Sequence, residues 1–280
     1  MGWQAALRLD YDLADGRTRG HSEHSGPLRV LKALYPEGGA ICHHVLVHPP
    51  SGLVGGDLCR LRVRLATGSH AVLTTPGATR FYRSLGDEAV QTVDAHLAPG
   101  ARLEWLPLEN LVYSGALAVN RQRFELEPGA AMMGWDLLGL GLPASDAPFV
   151  AGRMRQRIEV AGLWLDAASI SADDTVLLDS PAGLAGRRAL ATLWCAWGAA
   201  PDSALVGALL DSAREQIALR ETRHPARVLA GATLVHPQVL LLRAMAHRIE
   251  PLLDLLRGVR REWRGLAWGL PPTEPRVWGT

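Results

Sequence analysis

The segment CHHVLVHPPSGLVGGD, residues 42–57, holds the side chains best suited to bind a transition metal. Thiolate and neutral imidazole are soft and borderline donors, a set that suits nickel, copper or zinc. If Cys42 to His48 is a strand, then Cys42, His44, Leu46 and His48 share one face, and His43, Val45 and Val47 share the other. Asp57 follows just after the turn. A strand rises about 3.3 Å per residue, so Cys42 and His48 are too far apart to share one ion. A fixed metal site therefore needs ligands from other strands, and without them the histidines are satisfied by local hydrogen bonds. One compact site of three or more ligands would make the chain a metal-dependent hydrolase or a cupin-like enzyme using the Cys42–His48 segment.

TTPGATRFYRS, residues 74–84, is the second dense stretch. It lacks the glycine and lysine spacing of a phosphate loop and the G-x-S-x-G of a nucleophile elbow. Pro76-Gly77 is turn chemistry, which implies a tight turn presenting threonine and arginine side chains outward. Glu104 and Glu109 flank the Leu106-Pro107 break, and their separation implies no paired-carboxylate site. Nothing in the sequence brings a Ser, His and Asp together as a triad.

These residues lie among strands. In DLCRLRVRL, residues 57–65, Cys59, Leu61, Val63 and Leu65 alternate with Arg60, Arg62 and Arg64, the period of a half-buried strand. RQRFELE (121–127) and RMRQRIEV (153–160) repeat the pattern, each with one apolar and one charged face. The arginine rows are solvated faces or docking surfaces for an acidic partner. Gly68, Gly100, Gly129 and Gly162 punctuate the strands at spacings of 32, 29 and 33 residues. Hairpin units at that period predict stacked β layers over about residues 25–180 rather than βαβ units, the alternative being a plain β-sandwich.

Past residue 185 the period changes. Leu190, Leu193, Trp194 and Trp197 fit a helix stripe. Val206, Leu209, Leu210, Ala213 and Ile217 form a second, after Asp202 as N-cap. A third helix is expected from Pro237 through Leu256, kinked or split at Pro251. The expected organisation is a β-rich body over residues 1–184 and a helical region over 185–280 packed on it as one unit. The fold class is mainly β: an elongated, β-helix-like body with about three helices at one end. The wide apolar stripes predict poor solubility alone and an obligate complex.

The bulk composition narrows the function. Net charge is +1, which argues against a nucleic-acid binder. The cysteines Cys42, Cys59 and Cys195 form no disulfide framework and fit a reducing cytoplasm. The N-terminus reaches charge at Arg8 without an apolar h-region, so no signal peptide is read, and the longest apolar stretch, Ala189 to Pro201, is too short to span a bilayer.

Together, HPPSGLVGGD (48–57), TTPGATRFYRS (74–84), LEWLP followed by Leu108-Glu109 (103–109) and the terminal PRVWGT (275–280) resemble the UreD/UreH family of urease accessory proteins. The resemblance implies a cytoplasmic, non-enzymatic scaffold for nickel insertion. Such a scaffold binds apo-urease with a UreF-type accessory protein and a UreG-type GTPase, and an internal tunnel serves as the route. Ni(II) is then transient cargo, with no permanently bound cofactor. Transient metal contacts are expected at Cys42, His44, His48 and Asp57. Tunnel or partner contacts are expected at Thr74, Thr75, Thr79, Arg80, Tyr82, Arg83, Glu104 and Glu109. Weak successive contacts along a polar channel suit a carrier that must release its ion. The chain departs from the family pattern at Ser51, Leu108 and Ser114, and Asp146-Ala147 stands in place of a Gly-Glu pair. A β-solenoid interaction module without a metal task is a further alternative to this reading and to the hydrolase.

Overall fold

The structure is a computed structural model that describes residues 2–223 and 228–279. Its strands are β1 (Gln4–Ala14), β2 (Arg17–Ser25), β3 (Arg29–Val30), β4 (Ile41–Val47), β5 (Gly52–Leu53), β6 (Leu58–Leu65), β7 (His70–Thr74), β8 (Thr79–Phe81) and β9 (Ala89–Leu97). They continue with β10 (Arg102–Leu106), β11 (Asn110–Val112), β12 (Ala116–Leu126), β13 (Ala131–Leu140), β14 (Gly152–Val160), β15 (Trp164–Ser171), β16 (Ala189–Trp197), β17 (Val228–His236) and β18 (Val239–Ala246). The helices are α1 (Thr175–Asp179), α2 (Ser203–Arg223) and α3 (Glu250–Trp268).

The chain winds as a β-solenoid-like stack of about four coils. Each coil places a strand in one sheet, turns sharply, places a strand in a facing sheet and returns through a short third segment. The first sheet has the order β15-β14-β12-β9-β6-β1-β2. Its central strands β1, β6, β9, β12 and β14 are parallel. In the second sheet β4, β7, β10 and β13 are parallel, and β16, β18 and β17 extend it antiparallel from β13. The short strands β5, β8 and β11 stack parallel as the third side.

Alternation explains the layering. Leu61, Val63 and Leu65 face inward with Val93, Ala95 and Leu97, while Arg60, Arg62 and Arg64 stay exposed. The corners at Gly68, Gly100 and Gly129 have φ of +71°, +71° and +84°, a region costly for residues with a Cβ. They are arches between the sheets rather than hairpins, because β6, β9 and β12 pair with other coils and not with the strand that follows. Gly162 differs, since it turns the true antiparallel hairpin β14–β15. The first two spacings thus measure a coil, and the third does not.

The helices differ from expectation in placement. Residues 189–197, read as a helix stripe, are strand β16. Ala191, Leu193 and Cys195 pack under the helices, and Trp194 and Ala196 face the interior. Burial on both faces erases the period of two, and a short apolar run is then ambiguous. Pro237 starts no helix but lies in the turn between β17 and β18, and residues 239–246 are a strand for the same reason. Pro251 does not kink a helix either. It stands in the first turn of α3, where a missing N–H costs nothing. The expected α2 is present, with Asp202 Oδ1 accepting from Ala204 N at 2.6 Å.

Helices α2 and α3 pack on each other and on the outer face of the second sheet. Leu252, Leu255, Leu256, Val259 and Trp263 of α3 are all fully buried in that layer. Among the described residues no helix is long and apolar enough to cross a membrane.

Candidate functional site

Two polar clusters interrupt the apolar packing, one on each face of the second sheet. The outer cluster forms because Glu104 of β10 points from the sheet toward α3, where it is fully buried. Its Oε2 accepts from Arg260 Nε at 2.8 Å and Nη2 at 2.5 Å, and its Oε1 accepts from Arg264 Nε at 3.0 Å. His70 Nε2 lies 3.2 Å from the same Oε1. Arg264 also bonds Glu37, which pairs with His43 Nε2 at 2.8 Å. Burial by itself pushes the Glu104 carboxyl up, but Arg260, His70 and Arg264 outweigh it and hold the group well below the usual carboxylate range. The arginines continue to the C-terminal tail, with Arg260 Nη1 donating to Thr273 O at 3.0 Å. Every charge here has a partner, so this cluster is a clamp holding α3 and the tail to the sheet.

The inner cluster lies between the sheets. The register aligns Ala5, Cys59, Gln91, Asn120 and Gln156 across five neighbouring strands of the first sheet. Cys59, Gln91 and Asn120 carry inward-facing polar groups at that one level. Opposite them Asp136 of β13 is 2% exposed. Its Oδ1 accepts from Gln122 Nε2 at 2.6 Å, Asn120 Nδ2 at 3.1 Å and Asn110 Nδ2 at 3.3 Å; its Oδ2 accepts from Gln156 Nε2 at 2.5 Å. Burial pushes this carboxyl up to about 6, against the pull of those amide donors. Four neutral donors compensate less than two guanidinium groups do, which separates Asp136 from Glu104.

Beside this cage is a cavity of about 290 Å³, walled by Cys59, Gln91, Trp105, Asn110, His48 and the Thr75–Arg80 turn. Trp105 Nε1 donates to Gln122 Oε1 at 2.8 Å and so joins cavity wall to cage.

The residues expected to contact metal do not converge. Cys42 is fully buried, and burial pushes its thiol up against the opposing pull of Tyr35 and Arg17. His44 Nδ1 hydrogen-bonds the Tyr11 hydroxyl at 2.6 Å, and burial pulls its pKa down to about 4, leaving it neutral. Asp57 accepts from Trp3 N at 2.6 Å and Val54 N at 2.9 Å, which fixes a loop. His48 lines the cavity, and burial lowers its pKa against the pull of Asp57. Among the described residues no three His, Cys, Asp or Glu side chains come close enough to hold one metal ion.

The turn residues separate as well. Thr74 is buried rather than presented outward; it donates to Leu106 O at 2.7 Å and accepts from Trp278 Nε1 at 2.9 Å. Thr75 donates to Gly77 O and accepts from Leu108 N, both at 2.9 Å. These threonines build the turn because their hydroxyls satisfy backbone groups that a tight bend leaves unpaired. Thr79 and Arg80 face the cavity, and Tyr82 meets Tyr113 edge to face at 4.9 Å. Arg83 is exposed beside Gly115, and the Glu109 carbonyl accepts from Thr79 N at 2.9 Å.

Sequence reasoning missed Cys59 as a cavity residue, and it missed the Asp136 cage. One signal was present. In ALAVNRQRFEL, Asn120 and Gln122 occupy the phase that Ala118 and Phe124 mark as inward.

Comparison with known proteins gives one family along nearly the whole chain. The family model described as UreD urease accessory protein matches residues 4–279. A protein of Leptothrix cholodnii named urease accessory protein UreD is 52% identical over 285 residues, covering 100% of both chains. Proteins of the same name from Paracidovorax citrulli and Methylibium petroleiphilum are each 51% identical, covering 99% and 100% of both chains respectively. The chain belongs to the UreD urease accessory protein family.

Proposed function

We propose that the chain is a non-catalytic scaffold of urease maturation. It binds apo-urease together with UreF- and UreG-type proteins and gives Ni(II) a route through its interior. The relatives' names support the accessory role. The observation that carries the route is the polar level inside the solenoid, where the cavity beside His48, Cys59 and Gln91 adjoins the caged Asp136. Single thiol, imidazole, amide and carboxylate groups at separate places give weak, successive contacts. Cargo that must be surrendered to a tighter site needs contacts of that kind.

A bulky side chain on the cavity wall tests this. With Thr79→Trp, apo-urease and the accessory partners still co-purify, while nickel incorporated per urease falls about tenfold under limiting nickel, a barrier of about 1.4 kcal/mol. Full incorporation by a variant whose cavity is filled would remove the route from this reading and leave the scaffold.

A further inference from the structure

The outer face of the first sheet carries arginines that neither the clamp nor the cage uses. In one row across β6, β9, β12, β14 and β15 the register sets Arg60, Thr92, Arg121, Arg157 and Ala167 side by side. That row holds guanidinium groups from three strands and no carboxylate. The next row differs, since Arg62, Asp94, Arg123 and Glu159 alternate in sign and compensate one another. Arg121 and Arg157 are direct cross-strand neighbours on strands about 4.8 Å apart, and like charges so placed destabilise a sheet. Among the described residues Arg60 and Arg121 have no carboxylate partner, while Arg157 has Glu159 of its own strand at 2.7 Å and Arg155 pairs with Glu88. Along this row runs a groove of about 320 Å³. Arg121, Arg155 and Arg157 wall it because they are long, and Ala167 and Ser169 of β15 leave it open because they are short. Val119 at its base is 1% exposed although it points outward, as expected where arginine stems lie over an apolar floor.

The complement of this row is an anion, and the pattern says which kind. Arg155 and Arg157 project the same way about 6.6 Å apart along β14, the interval at which an extended peptide repeats its side chains on one face. Guanidinium forks take carboxylates in bidentate pairs. A nucleic acid fits less well, because the outward positions of β6, β9, β12 and β14 carry no Phe, Tyr or Trp on which a base could stack. Asp94 and Glu159 border the row and repel a uniform polyanion, whereas a peptide can set neutral or basic residues against them. We propose that the Arg60–Arg121–Arg157 row and its groove dock an extended acidic segment of a partner protein, with carboxylates at alternate positions. The contact rests on the scaffold reading for its use, and it deepens that reading by naming the chemistry of one partner.

The test is fluorescence anisotropy of the full-length chain with a labelled peptide of alternating Glu and Ser, beside labelled oligothymidylate of the same charge. The parent binds the peptide more tightly than the oligonucleotide, and the affinity falls as salt is raised. Arg121→Gln with Arg157→Gln removes two partly exposed ion pairs and weakens the peptide about tenfold. Arg214→Gln with Arg261→Gln makes the same change in net charge on exposed positions of α2 and α3, and leaves binding unaltered. Thermal melts separate recognition from folding, because relieving the like-charge row leaves the first variant at least as stable as the parent. A parent that ignores the peptide, or binds the oligonucleotide as tightly, overturns the proposal. So does equal weakening by the two double variants, or a lower melting temperature for the Arg121/Arg157 pair. These outcomes concern a synthetic peptide, so they leave the scaffold reading standing; co-purification of apo-urease with the parent tests that reading separately.

Discussion

Arg260 Nε lies 2.8 Å from Oε2 of Glu104, a residue 156 positions earlier, and that contact fastens the last helix to the middle of the second sheet. Removing the charge from Glu104 leaves the buried Arg260 guanidinium without a carboxylate and Arg264 with Glu37 alone. Glu104→Gln therefore destabilises the chain by about 3–5 kcal/mol, read as a lower urea midpoint at neutral pH. The carboxyl is held below its unfolded range, so the clamp is intact above the ordinary carboxylate pKa and weakens as pH falls through the folded value. Between pH 7 and 5 the loss caused by the substitution stays constant. A change under 1 kcal/mol would show that the cluster is not a clamp.

Asp136 titrates in the opposite sense. Its folded pKa of about 6 lies above the unfolded 3.8, so the folded state holds a proton that the unfolded chain has released. The stability tied to that proton is complete below pH 4 and is lost as pH rises to about 6, a penalty of roughly 3 kcal/mol at neutrality. Asp136→Asn removes this dependence. The variant melts higher than the parent at pH 7.5, and the gap closes on lowering the pH to 4.5. Parallel melting curves across that range would exclude a raised pKa for Asp136 in the cage.

The strands of the coils were legible because one face of each meets solvent. Alternation such as Leu61-Arg62-Val63-Arg64-Leu65 has no helical reading. Strand β16 was not legible, since Leu193 and Trp194 are both fully buried on opposite faces and no charged residue marks the period. Leu190, Leu193, Trp194 and Trp197 then fall at helix spacing by coincidence. Part of the interior could be read, because Asn120 and Gln122 break an inward phase. Their meeting with Asp136 depended on the registration of two sheets. The clamp was hidden, since Glu37 and Arg264 are 227 positions apart and nothing local ties them together.

Ser51 provides a local test. It adopts φ of +64° in the turn before β5, a conformation that favours glycine, and its N–H donates to His48 O at 2.9 Å. A side chain in the left-handed region costs roughly 1–2 kcal/mol, partly returned by the smaller unfolded-state entropy of a non-glycine residue. Ser51→Gly raises stability by about 0.5–1 kcal/mol without altering the turn, measured by thermal unfolding. A lower melting temperature would mean that the serine side chain makes a contact the glycine cannot replace.

Trp278 ties the C-terminal tail to the turn at residues 74–79. Its ring stacks on Trp135 with centroids 5.3 Å apart, and Arg257 and Arg260 lie over it at 5.4 and 5.8 Å. Its Nε1 donates to Thr74 Oγ1, which itself donates to Leu106 O, so the tail holds the turn through one hydroxyl. Trp278→Phe keeps the stack and loses one hydrogen bond, costing about 1 kcal/mol. Trp278→Ala loses both, together with the cation–π contacts, and costs about 3 kcal/mol. The Trp278→Ala change also frees the 75–80 wall of the cavity, so amide hydrogen exchange rises there while the corners at Gly68 and Gly100 stay protected. Equal exchange in the two variants would show that the stack contributes nothing beyond the hydrogen bond to holding this wall in place.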